Sequence, residues 1–302
     1  MTAMNPKSGL NQKAGAPDTG ALDPRDTEAL AYIHSNKFIT TKLFQRKFHP
    51  HQSHVTAWTR LKGLLERGLI LKTQNLPNED TYYFLSRPAL AFLSKTARIL
   101  VSPEIRSAHI NTFEREHDKR VLAMRIQIEN EGGLENLTWL SDYEMRCGLK
   151  MVWKRALETG KGWDLAGAKL HRVHQRTPDG FFTGRLAGKD YAFVLEYEHT
   201  PYNRDKMTAL VLNLTRDFPT AFRLIVSRDK DHAVRLAHGL ESFLKGDAQA
   251  LPLWGFSFYE KVVGLPFCRV PWVTLKGGYL PFVKDPLLTT PGPEDGQERV
   301  TA

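Results

Sequence analysis

Three carboxylates are spaced so that they could act together. Asp179 follows a proline just ahead of an alternating apolar run, residues 181–186, and Glu196 and Glu198 close a second run, residues 191–197. Alternation with a period of two predicts a strand in each run, and the intervening Gly188-Lys189-Asp190 predicts a β-hairpin turn. The spacing of Glu196 and Glu198 puts both on one face with Val194, and leaves Phe193, Leu195 and Tyr197 on the other. Like charges gathered at one end of an apolar hairpin must bind a cation, share a proton or stay in water. The expectation is a divalent-metal site for phosphodiester chemistry on Asp179, Glu196 and Glu198. Each acid also has an ordinary structural alternative. Asp179 is a common turn residue in Pro-Asp-Gly, and Glu196 and Glu198 have Arg204 and Lys206 nearby as ion-pair partners.

Such a site needs a sheet behind it, and the flanking sequence supplies one. Residues 110–130 have helical periodicity, with Phe113, His117, Val121, Met124 and Ile128 on one face, so His117 lies on the inward stripe. Gly132-Gly133 ends that helix. A strand is expected at 137–141, followed by a charged stretch that holds Glu144, with Arg146 or Arg155 as its alternative ion-pair partner. Residues 151–161 read as a helix and 170–174 as a strand. After the hairpin come a helix (202–217), a strand (222–227), a helix (229–245), a strand (253–258) and a weaker strand (272–275). The order argues an α/β domain, α+β overall, with a mixed sheet covered on both sides.

Ahead of this domain the pattern differs. Asp26 or Thr27 is expected to cap a helix carrying Leu30 and Ile33, Thr40 a second helix over 41–48, and Ser53 a third with Val55, Trp58, Leu61 and Leu65 inward. Gly68 ends the third helix, and two strand-like runs follow, 68–74 and 80–86. Three short helices and a hairpin spell a winged helix-turn-helix, a DNA-binding arrangement. His54, Thr56, Arg60, Lys62 and Arg67 on the third helix, with Lys72 and Asn75 on the hairpin, are the expected contacts to double-stranded DNA. His49, His51 and His54 cluster without an acid or cysteine to complete a metal set, and read as exposed loop histidines. A helix over 87–102, capped near Ser86, is expected to bridge the two domains.

The domain limits expected are a flexible leader over 1–24, the winged helix over 25–102, the α/β domain over 103–286 and a disordered tail over 287–302. Of 302 residues, 42 are Lys or Arg and 33 Asp or Glu, a net charge of +9 that suits a polyanionic partner. No apolar run approaches the ~18 residues of a membrane span, so no membrane partner is expected. The first residues lack an apolar signal-type segment, and the expected location is the cytoplasm. Two cysteines, Cys147 and Cys268, read as small core residues in a reducing compartment.

The order αβββαβ, with Pro-Asp opening one strand and Glu-x-Glu closing the next, resembles the PD-(D/E)xK nuclease superfamily. The resemblance implies Mg²⁺ on Asp179 and Glu196. It places Glu198 where the superfamily has a lysine, and a carboxylate cannot stabilise negative charge; Lys206 would have to supply that cation from the next helix. A resemblance over most of the chain is to the replication-relaxation protein family. It is carried by the winged helix, EHDKRV (116–121), WLSDYEMR (139–146), PDG (178–180), FVLEYEHT (193–200) and Lys206. It implies a protein of a plasmid or other mobile element, acting in replication initiation, relaxation or mobilisation, with a replication initiator or relaxase as partner. The implied site is His117, Glu144, Asp179, Glu196, Glu198 and Lys206. Activity stays open between an Mg²⁺-dependent endonuclease or nickase and a regulator or relaxase-accessory protein on an inactive nuclease fold.

Overall fold

In a computed structural model the protein is described over residues 22–73, 80–96, 112–131, 133–146, 177–199, 204–244 and 253–283. Asn75, Cys147, the helix expected at 151–161, the strand expected at 170–174 and the tail lie outside these residues. The chain divides into two compact units, Met1–Ala108 and His109–Ala302.

The first unit contains α1 (Pro24–Ser35), β1 (Ile39–Thr40), α2 (Thr41–Phe48), α3 (His54–Glu66), β2 (Ile70–Lys72), β3 (Tyr82–Leu85) and α4 (Arg87–Thr96). Its three strands are antiparallel in the order β1-β3-β2. The cap of α1 is Asp23, three residues before the expected Asp26, because Pro24 fits the first turn and the Asp23 carboxylate accepts from Arg25 N at 2.8 Å. Thr40 caps α2 as expected, accepting from Leu43 N at 3.3 Å, and Ser86 opens α4, accepting from Ala89 N at 3.3 Å. Ser53 stands at the cap of α3, but its hydroxyl faces that of Thr56 at 3.4 Å rather than the helix backbone. Leu30, Ile33, Phe38, Ile39, Phe44 and Leu61 are fully buried and form the core of this unit.

The rotation of α3 differs from the expected stripe. Ala57, Leu61 and Leu64 face inward, while Val55 and Trp58 are 65% and 46% exposed. Both sets repeat at helical spacing, so periodicity alone does not choose between them. The inward set places small Ala57 at the contact, and the outward Trp58 ring is covered by the Lys62 ammonium, 5.4 Å from its centroid.

The second unit is a mixed α/β fold. Its elements are α5 (Thr112–Glu131), β4 (Glu135–Ser141), β5 (Gly180–Leu186), β6 (Lys189–Glu198), α6 (Arg204–Asp217), β7 (Phe222–Ser227), α7 (Lys230–Leu244), β8 (Trp254–Phe258) and α8 (Tyr259–Gly264). They build one sheet in sequence order, β4-β5-β6-β7-β8. The first three strands pair antiparallel, and β6-β7 and β7-β8 pair parallel. The hairpin turn falls one residue before the expected position. Ala187 and Gly188 have φ of 51° and 78°, the left-handed pair a tight hairpin of matching twist requires, and Lys189 and Asp190 already belong to β6. Residues 272–275 contribute only isolated bridges, Val273 with Phe256 and with Tyr279, not a strand.

Alternation along the strands fills two cores. Phe182, Phe193, Leu195, Tyr197, Leu224 and Val226 meet Met124 and Ile128 of α5 and Phe267, Trp272 and Phe282 of the C-terminal segment. Val194, Ile225 and Phe256 face the other way, against Met207, Leu210 and Leu214 of α6 and Leu236 and Leu240 of α7. Burying each such side chain contributes about 1.5–3 kcal/mol. The sheet is thus held rigid from both sides.

Candidate functional site

Strands β4, β6, β7 and β8 all run opposite to β5. Their C-terminal ends and the N-terminal start of β5 therefore share one edge of the sheet, where α/β proteins commonly place ligands. Asp179 precedes β5, Glu198 ends β6, and Ser141, the anchor of Glu144, ends β4.

The last rung between β5 and β6 joins Gly180 and Leu195. One step further, a side chain replaces the backbone: Asp179 Oδ2 accepts the Tyr197 N–H at 2.7 Å. The same oxygen lies 3.2 Å from His117 Nε2 on α5. That nitrogen is also 3.1 Å from the Tyr197 carbonyl oxygen, so it stands between two acceptors and carries the proton. The other ring nitrogen, Nδ1, is 3.5 Å from Asp118 Oδ1. Burial lowers the histidine's affinity for a proton, but Asp179 and Asp118 outweigh it and raise its pKa from 6.5 to about 11. His117 is therefore an imidazolium bracketed by carboxylates.

Next to it, Arg120 donates to the Tyr197 hydroxyl at 2.6 Å and lies over the rings of Tyr197 and Tyr259, 5.8 and 5.1 Å from their centroids. Burial pushes the Tyr197 phenol upward against the opposing effect of Arg120. Just beyond β6, burial lowers the His199 pKa, and the positive charges of Arg120, Arg228 and His117 add to this.

Glu196 and Glu198 alternate onto the face that α6 and α7 cover, in register with Ile225 and Ser227 of β7. Glu196 is 8% exposed and Glu198 half-buried. Asp179 is drawn instead to α5. Lys206 sits in the first turn of α6 and is exposed. Glu144 belongs to a capping box. Its Oε2 accepts from Ser141 N at 2.9 Å and Ser141 Oγ at 3.1 Å, while Ser141 Oγ accepts from Glu144 N at 3.1 Å. Arg125 of α5 approaches the same carboxylate at 3.8 Å.

An Mg²⁺ ion needs oxygen ligands near octahedral geometry. Asp179 Oδ2 already serves two donors, the Tyr197 N–H and the His117 ring. No three His, Cys, Asp or Glu side chains among the described residues form a group able to hold a metal. So arranged, these side chains do not fit the ion.

In the first unit, His54, Thr56, Lys62 and Lys72 are exposed. Arg60 and Arg67 are engaged within the unit: Arg60 Nε lies 3.0 Å and Arg67 3.5 Å from the Asp26 carboxylate, and Arg60 also covers the rings of Phe44 and Phe48. Their expected place on the solvent face is corrected by the rotation of α3.

Asp118, Arg120 and Tyr197 carry parts of the acid edge that the sequence did not single out. The signal for Arg120 is its three-residue spacing from His117, which puts both on one helix face. Among the described residues, no helix is long and apolar enough to cross a membrane. Compared with protein-family models, with curated proteins and with solved structures, the chain matches none.

Proposed function

We propose that this chain is a DNA-binding protein of a plasmid or other mobile element, acting in replication initiation, relaxation or mobilisation. In this reading the first unit is a winged helix-turn-helix and the second a PD-(D/E)xK-like domain. The observation that carries it is the outer face of α3, where His54, Thr56, Trp58 and Lys62 are all exposed, with Lys72 at the end of β2. Charge supports the same assignment. Residues 1–108 hold 15 Lys and Arg against 8 Asp and Glu, whereas residues 109–302 hold 27 against 25. Most of the net positive charge thus belongs to the unit that would meet phosphates. Element order supports the second half of the reading: among the described residues, the run β5-β6-α6-β7 follows the ββαβ end of the αβββαβ order of the nuclease superfamily.

For activity, a regulator or relaxase-accessory protein on an inactive nuclease fold is favoured over an Mg²⁺-dependent endonuclease. The engagement of Asp179 by His117 and Tyr197 supports that choice. The test has two parts. Fluorescence anisotropy at low salt should show duplex DNA binding that weakens several-fold in Lys62→Ala and Lys72→Ala; full binding in both variants would overturn the assignment of α3. Supercoiled plasmid with Mg²⁺ or Mn²⁺ should stay intact. Nicking that is lost in Asp179→Ala and Glu196→Ala would establish the endonuclease instead.

A further inference from the structure

We propose that His117, and not a divalent metal ion, is the resident partner of Asp179, so that the acid edge of the second unit works as a metal-independent strut between α5 and the sheet.

Asp179 Oδ2 receives the Tyr197 N–H at 2.7 Å and His117 Nε2 at 3.2 Å, two donors that use both lone pairs of that oxygen. His117 closes the loop by reaching the Tyr197 carbonyl at 3.1 Å, so one ring satisfies both a carboxylate and a strand end. Its ring lies 5.5 Å from that of Tyr197, whose hydroxyl is held by Arg120 one helical turn further along α5. One turn of α5, from His117 to Arg120, thus grips β6 at the residue between Glu196 and Glu198. A metal bound through Asp179 Oδ2 would have to displace the histidine and free the end of β6 together. The strut also orients the two glutamates away from Asp179, since Tyr197 faces α5 and its neighbours must face α6 and α7.

The proposal does not depend on the DNA-binding reading. Lys62→Ala and Lys72→Ala are expected to leave every measurement below unchanged.

The experiment uses the full chain and Mn²⁺ alone as the probe. Thermal unfolding of the wild type and of Asp179→Asn is followed with and without millimolar Mn²⁺. The expected result is the same Mn²⁺ response in both proteins. A rise in wild-type Tm that Asp179→Asn abolishes would overturn the proposal, because the metal would then be reaching Asp179 past His117. The second arm is a double-mutant cycle on His117→Ala and Asp179→Asn without metal. Coupling is expected, with the double variant no less stable than the worse single one; additive losses would overturn the strut. If His117→Ala does not fold, His117→Gln replaces it in the cycle. The Mn²⁺ comparison needs neither histidine variant.

Discussion

A histidine bracketed by two carboxylates behaves as a fixed cation, not as a switch near neutrality. His117 is 30% exposed and remains within reach of Asp179 and Asp118, and the two acids raise its pKa to about 11 despite burial. The folded value exceeds the ordinary 6.5, so protonation favours the folded state. The contribution is complete below 6.5 and is lost as the pH climbs through about 11. Ring ¹⁵N chemical shifts of His117 should therefore show both nitrogens protonated, with no titration between about pH 6 and pH 9. A midpoint near that of a free histidine would remove the ion pair from the account. His199 provides the internal contrast. Burial and the surrounding cations lower its pKa from the ordinary 6.5, the direction opposite to that of His117.

At the scale of elements, two motifs separated in sequence turn out to be one packing unit. A Cβ added at Gly180 would lie 2.4 Å from the Trp139 ring, which itself stacks on Phe182 at 4.8 Å. The glycine after Asp179 is thus required by the tryptophan strand, and the tightness of that contact fixes where β5 begins. Gly180→Ala is expected to cost about 1–3 kcal/mol through overpacking, seen as a lower midpoint in denaturant without loss of helix content. An unchanged midpoint would mean the ring has room to move. The strands and helices from β5 to β8 were legible because alternation and helical spacing are local and strong there. Glu144 was legible as a residue worth naming, but its Ser-x-x-Glu spacing from Ser141 is also a capping box, and the structure realises that role. What local pattern did not carry was the partner of Asp179. His117 meets the strand end 80 residues away in sequence, and no periodicity encodes such a contact. The rotation of α3 escaped for a different reason, since its two apolar stripes share one period and only the tertiary packing, which buries Ala57 and leaves Trp58 exposed, decides between them.

Over the whole molecule, charge is divided unevenly between the two units. The basic excess lies in residues 1–108, yet some of its arginines are engaged within the unit. Arg60 and Arg67 hold Asp26 from two sides, and Arg60 also covers two phenylalanine rings. Removing Arg60 leaves a partly buried carboxylate with less of its pairing, a loss of about 1.5–3 kcal/mol for a hydrogen bond between charged groups. Lys62 and Lys72 are exposed at α3 and β2, and a phosphate contact made by either releases counterions. The two kinds of cation are therefore separable by experiment. Duplex binding measured over a range of salt should give a slope that falls by about 0.9 in Lys62→Ala and again in Lys72→Ala, with unchanged Tm. Arg60→Ala should do the reverse, lowering Tm while keeping the slope of the wild type. If Arg60→Ala instead flattened the salt dependence at unchanged Tm, Arg60 would be a phosphate contact, and the inward turn of α3 would not be the form that binds DNA.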